Sequence, residues 1–246
     1  MSLRQCAMMA SRLRVEAVLF DLDGTLVDTL PDITWCLNQV LLEHGCPAQT
    51  AETVRGYIGG GVTAMIEQVA TRFGIADAVA LHQRYVALYQ NNLVQFSRPF
   101  SGVIALLEGC RQLQVPLAIV TNKTEDMALQ VADVLLPQNT FGTILGHRAG
   151  RALKPQPNVA WEAARRLSVD PQRCLFVGDT TIDLKTARAA GMYSAAVTWG
   201  YGQPLTLQAQ TPNFCCEHPT GLLRILQQVC ATAHAFTEHG DTIKSY

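Results

Sequence analysis

The stretch FDLDGTLVDTL, residues 20–30, closes an apolar run over 15–20 whose one charge is Glu16. So short a run, apolar without strict alternation, suits a strand covered on both faces of a parallel sheet. Two aspartates follow, Asp21 and Asp23. A carboxylate at the edge of an apolar core is costly unless it is paired, hydrogen-bonded or bound to a cation. The rest of the chain has to supply that compensation.

Further apolar runs lie at 116–120, 143–145, 174–177 and 193–197, and a last strand is read over 213–217. Helical patterns separate them. Ser101 reads as the N-cap of a helix carrying Ile104, Leu107 and Leu113. Thr124 caps a helix to about Leu135, and two more cover 157–167 and 183–190, the last ending at Gly191. This alternation predicts an α/β fold with a doubly wound, Rossmann-like parallel sheet. The residues between the first and second runs break the rhythm and read as helical. Pro31 suits the first helical position and Asp32 the first turn. Ile33, Cys36, Leu37, Val40 and Leu41 form one apolar face, and Gly45 ends it. More helix is read over 62–72 and 76–91. An insertion just after the first strand sits over the carboxyl ends of the strands, where open α/β sheets bind ligands. The expected division is a core of 1–28 and 98–246 with a smaller all-helical cap domain over 29–97.

The chain has 246 residues and a formal net charge of -1. That balance gives no basic footprint for nucleic acid. No apolar run reaches the ~18 residues of a membrane span. Residues 1–14 hold no long apolar segment, so no signal peptide is expected. The eight cysteines (6, 36, 46, 110, 174, 215, 216 and 230) form no CxxC. They read as free thiols, several of them buried, which suits a reducing, cytoplasmic compartment.

A second acidic constellation, FVGDTTIDLKTARAAG, spans residues 176–191. There a strand ends in Gly178-Asp179, and Asp183 follows. If this strand neighbours the first, three or four carboxylates converge. At ~5 Å and an effective dielectric near 20, each anionic pair repels by roughly 3 kcal/mol. Such a cluster needs a cation or raised pKa values. Oxygen ligands of this kind suit magnesium. LAIVTNK, residues 117–123, adds Thr121 and Asn122 after the second strand, and RALKPQP, residues 151–157, adds Lys154 after the third. A carboxylate nucleophile, a second carboxylate, a hydroxyl, an ammonium and a metal site together meet the needs of phosphoryl transfer.

DLDGTLVDT, VTNK, LKPQP and GDTTIDLKTARAAG, in that order, resemble the four motifs of the haloacid dehalogenase superfamily. The helical insertion, YIGGG within it and VTWGYG after the last motif resemble the phosphoglycolate phosphatase group. The resemblance implies that Asp21 attacks phosphorus and forms an aspartyl-phosphate, while Asp23 protonates the leaving alcohol and then deprotonates the hydrolytic water. It implies Mg²⁺ held by the Asp21 carboxylate, the Asp23 main-chain carbonyl and Asp179. Asp183 would orient metal waters or Lys154. Thr121, Asn122 and Lys154 would bind the phosphorylated substrate, a small metabolite, with 2-phosphoglycolate foremost.

In GYIGGGVTA, residues 56–64, the G-x-G-x-x-A spacing lacks the preceding strand that a dinucleotide site needs. The segment reads as a cap loop around Gly60 whose amides meet a substrate anion, or as a flexible connection between helices. Arg55 is a candidate ligand for a substrate carboxylate. Lys123 reads as a solvated loop lysine and stays outside the candidate set. Trp199 and Tyr201 read as packing residues beside the site. The alternatives are a sugar-phosphate phosphatase, a pyrophosphatase, a β-phosphoglucomutase-like phosphomutase and, outside enzymes, a receiver-like phosphoacceptor module. The sequence does not decide between monomer and dimer.

Overall fold

A computed structural model of the chain describes residues 13–231. The reading of 1–14 is therefore largely outside the described residues, and Cys6 wholly so. Six parallel strands form one sheet in the order β5-β4-β1-β6-β7-β8. These are β1 (Ala17–Phe20), β4 (Leu117–Thr124), β5 (Thr143–His147), β6 (Cys174–Gly178), β7 (Tyr193–Val197) and β8 (Phe214–Cys216). The uninterrupted apolar runs have a simple cause. Val18 and Phe20 of β1 face one hydrophobic cluster, while Ala17 and Leu19 face another. Leu175 and Val177 of β6 join the first, Cys174 and Phe176 the second. Period-two alternation is present, but both sides are buried. Each large apolar side chain so buried contributes roughly 1.5–3 kcal/mol.

Helices cover both faces. The first cluster takes in α5 (Val103–Gln112), α6 (Glu125–Leu135) and α10 (Pro219–Ala231); the second takes in α7 (Asn158–Arg166) and α8 (Thr181–Ala190). A short α9 (Pro204–Gln208) follows β7. α5 starts later than the sequence suggests: Gly102, at φ 86, occupies the N-cap position instead of Ser101. Thr124 does precede α6, but its hydroxyl makes no capping bond. Strand β4 is longer than expected and runs on through Thr121, Asn122 and Lys123 to Thr124, with an irregular register after Val120.

Between β2 (Val27–Asp28) and β3 (Arg98–Pro99) lie four helices, α1 (Leu30–Glu43), α2 (Ala51–Arg55), α3 (Val62–Phe73) and α4 (Ala78–Gln90). The chain leaves and re-enters the core through a two-stranded antiparallel ribbon, β2 with β3. Asp32, in the first turn of α1, is fully buried and ties the two passages together. Its carboxylate accepts from Phe96 N at 2.9 Å, from Ser97 N at 2.8 Å and from the Ser97 hydroxyl. The apolar face foreseen on α1 is buried as expected, from Ile33 to Leu41. Cys36, Cys110, Cys174 and Cys230 are buried free thiols, and Cys46 and Cys215 are free but less buried. No described helix is long and apolar enough to cross a membrane.

Asp32→Ala strips three donors of their charged acceptor. It should lower unfolding free energy by roughly 2–4 kcal/mol in a urea titration. A loss below about 0.5 kcal/mol would show that the tie is not structural.

Candidate active site

The sheet order places the carboxyl ends of β4, β1 and β6 side by side. After β1 the chain turns tightly, with Gly24 N donating to Val27 O at 2.9 Å and Val27 N to Leu22 O at 3.0 Å. Gly24 sits at φ 85, and any side chain there would run into the Asp179 carboxylate. Gly200 is pressed against the same carboxylate and against Gly24 O. Absence of a Cβ at these two positions lets two loops close on Asp179.

Asp21 accepts from Leu22 N at 2.8 Å and pairs with Lys154 Nζ at 2.9 Å. The Lys154 ammonium also donates to Asp183 Oδ1 at 2.7 Å and to Val120 O at 3.1 Å. The other Asp183 oxygen takes Thr180 N and the Thr180 hydroxyl, at 2.9 and 2.6 Å, in a capping box at the start of α8. Asp179 accepts from the Thr25 hydroxyl at 2.8 Å and from Tyr201 N at 2.7 Å. One oxygen each of Asp21, Asp179 and Asp183 lies within 4.8 Å of the other two, and all three residues are buried.

Burial pushes the Asp21 carboxyl up to about 7; the Lys154 ammonium opposes the shift, and the charge of Asp183 adds to it. Burial, with Asp183 and Asp21 beside it, pushes Asp179 up to about 8. Burial works against the Lys154 charge, yet the Asp183 and Asp21 carboxylates hold its pKa above the ordinary lysine value. Clustered anionic oxygens with more negative charge than one ammonium can neutralise fit a hard divalent cation.

Asp23 stands beside this cluster. It accepts from the Thr29 hydroxyl at 2.8 Å and from Lys123 Nζ at 3.1 Å. Lys123 is therefore not a solvated loop lysine. It is the penultimate residue of β4, its side chain is 4% exposed, and it also donates to Tyr89 Oη at 2.6 Å. Thr121 is buried at the same strand end, with its hydroxyl accepting from Lys123 N at 3.2 Å.

The structure gives four further residues these surroundings. The Asn122 amide is spent on holding loops: its nitrogen donates to Gly59 O and Lys154 O, and its oxygen accepts from Lys154 N. Arg55 is not among the residues that line the pocket beside Asp21 and Asp23. Its guanidinium donates to the main-chain carbonyls of Gly200, Tyr201 and Gly202. Gly60 is flanked by the residues that do line the pocket, Gly59 and Gly61. Tyr201 does more than pack: its hydroxyl accepts from Thr29 N and Leu30 N, at 2.8 and 2.9 Å. Sequence reasoning missed Lys123 and Tyr201. The adjacency of Lys123 to Thr121 in one apolar run was the available signal.

A pocket opens on Asp21, Asp23, Thr121 and Lys123 from the core and is closed by Ile33, Ile58, Val62, Met65, Tyr85 and Tyr89 from the insertion. Gly59 and Gly61, ahead of α3, line it too, and the element before them is helix α2, not a strand.

The family model described as haloacid dehalogenase-like hydrolase matches residues 18–197. The chain belongs to that family. It is 31% identical over 212 residues to a phosphoglycolate phosphatase of Aquifex aeolicus, covering 86% of this chain and 97% of the relative. It is 32% identical over 222 residues to an N-acetylmuramic acid 6-phosphate phosphatase of Pseudomonas aeruginosa, covering 88% and 97%. A crystal structure of a predicted phosphoglycolate phosphatase from Haemophilus somnus superposes with a TM-score of 0.80 at 25% identity, covering 87% and 98%. Family, fold and these relatives make this chain a phosphoric monoester hydrolase.

The raised Asp21 and Asp179 carboxyls have a consequence for the metal-free protein. Their folded-state pKa values lie above the unfolded 3.8, so their contribution to stability is full below about pH 3.8 and is lost as pH rises through about 7 to 8. Cation binding needs both ionised. Magnesium should therefore raise the melting temperature over a chelated sample more at pH 8 than at pH 5. An increment independent of pH would contradict the carboxylate cluster as its site.

Proposed function

We propose that the chain is a magnesium-dependent phosphomonoesterase for a small phosphorylated acid, with 2-phosphoglycolate the leading substrate. The observation that carries this is Asp21 itself: a carboxylate at a strand end, held at 2.9 Å by a buried ammonium, facing a pocket that it shares with Asp23. In this reading Asp21 attacks phosphorus. An Oδ–P bond forms as the P–O bond to the leaving group breaks, and Asp23 gives its proton to the leaving oxygen. Asp23 then takes a proton from water as that water attacks the aspartyl-phosphate, freeing inorganic phosphate and restoring Asp21. Thr121 and Lys154 bind phosphoryl oxygens. Asp21, Asp179 and the Asp23 main-chain carbonyl would hold Mg²⁺, with Asp183 steadying Lys154. Bound there, the ion would neutralise carboxylate and phosphoryl charge. Asn122 and Arg55 serve as braces in this account and do not bind substrate.

The four-helix insertion, residues 29–97, acts as a cap. It shields the aspartyl-phosphate from bulk water and sets the size of the leaving group. Buried free thiols support a reducing, cytoplasmic setting.

A second substrate reading has its own support. The insertion walls the pocket with Ile33, Ile58, Val62, Met65 and Tyr85, more apolar surface than a two-carbon acid fills. A phosphorylated sugar acid, as in the name of the Pseudomonas aeruginosa relative, would use it.

Phosphate release from a panel of esters, with magnesium and with chelator, tests both readings. Chelator-sensitive release is expected, fastest from 2-phosphoglycolate; faster release from a sugar phosphate would move the substrate to the second reading. Asp21→Asn should abolish turnover, and Asp23→Asn should lower kcat by about 10²–10⁴. A folded Asp21→Asn protein with full turnover would overturn the nucleophile.

A further inference from the structure

We propose that Lys123 is a substrate-binding residue that recognises a carboxylate on the leaving group, with the Tyr57 and Thr124 hydroxyls completing the subsite. The proposal deepens the phosphomonoesterase reading and rests on it.

Among the described residues that line the pocket, Lys123 is the one cation. Lys154 is not among the lining residues; its ammonium pairs with Asp21 and Asp183 and donates to Val120 O, on the phosphoryl side of the site. Arg55, the other cation that the sequence offered, is tied to three core carbonyls. An ammonium has three N–H donors. Lys123 Nζ serves the Asp23 carboxylate, at 3.1 and 3.4 Å, and Tyr89 Oη at 2.6 Å. The 3.4 Å contact is the longest of the three, and its N–H is the one a ligand in the pocket would take. Packing fixes the ammonium there: Nζ sits 4.5 Å from the centroid of the Tyr89 ring, and the residue is buried.

Two further groups point to a polar ligand. Tyr57 Oη and Thr124 Oγ1 are sealed from solvent and have no hydrogen-bond partner, and both residues line this pocket. A buried hydroxyl without a partner loses a hydrogen bond that it would have in water. A carboxylate accepts from several donors at once, so one ligand group can meet the ammonium and the hydroxyls together. The remaining walls, Ile58, Val62, Met65 and Met127, are apolar and exclude water, which strengthens that contact. Lys123 also adjoins Asp23, so the carboxylate would lie on the side where the leaving group departs.

The test compares esters that differ in this one group. 2-Phosphoglycolate is paired with 2-phosphoglycolamide, and 6-phosphogluconate with the open-chain glucitol 6-phosphate; the two pairs distinguish a short acid from a sugar acid. Wild type should favour the acid in at least one pair by about tenfold or more in kcat/KM, and Lys123→Met should erase that preference. Lys123→Arg should keep most of it. A loss shared equally by the acid and its paired ester would come from the Asp23 contact alone and would overturn the proposal. So would wild type without a preference in either pair.

Calorimetric titration of wild type with glycolate and with glycolamide needs neither turnover nor a variant. Glycolate should bind more tightly, and equal binding overturns the subsite. No chelator-sensitive release from any ester would instead defeat the phosphatase reading, while the calorimetry would still decide the carboxylate preference.

Discussion

The Lys154 ammonium, set between Asp21 at 2.9 Å and Asp183 at 2.7 Å, is the contact on which the site depends. Three buried carboxylates, two at neighbouring strand ends and one in the first turn of α8, would repel one another and press toward neutrality. One buried cation offsets part of that repulsion and, in return, is kept charged by it. The offset is incomplete: burial first, and the neighbouring carboxylates after it, keep the Asp21 and Asp179 carboxyls raised. A remaining excess of negative charge in a desolvated cleft is what gives a divalent cation reason to bind. Removing one member of such a cluster strands the others, so single changes there should act on stability as well as on chemistry.

The same cluster is wired to the insertion above it. Arg55 of α2 holds the carbonyls of residues 200–202, and Tyr201 N in that loop holds Asp179. The Tyr201 hydroxyl meets Thr29 and Leu30 where the chain enters α1, and the Thr29 hydroxyl meets Asp23. Asn122 ties the β4 end to Gly59 in the pocket loop. Contacts of this kind join the position of the insertion to the carboxylates beneath it. A cavity that forms between two such tied layers can be apolar on its insertion side and charged on its core side.

Much of this was legible in the sequence, for identifiable reasons. Central parallel strands are buried on both faces, so 16–20 and 174–177 were readable as uninterrupted apolar runs. Carboxylates at their ends had no other inexpensive explanation. Lys154 and Thr121 followed from order along the chain. Lys123 and Arg55 did not, because the direction of a long side chain depends on where its strand or helix stops. β4 runs four residues past the apolar core, which turns Lys123 inward, and α2 ends beside the loop at 200–202, which consumes Arg55. The ribbon β2–β3 is two residues per strand, too short for any periodicity. Gly102 displaced Ser101 as the N-cap residue because the turn there needs positive φ, a demand that composition alone does not announce.

The central claim is that the strand-end cluster makes Asp21 a nucleophile toward phosphorus. Its most direct test is to quench the enzyme with acid during turnover, reduce with borohydride, and map the peptides by mass. A phosphorylated aspartate is converted to homoserine by this treatment. The account predicts homoserine at position 21 and at no other aspartate. Turnover with no residue modified, or with the label at Asp23 or Asp179, would contradict it.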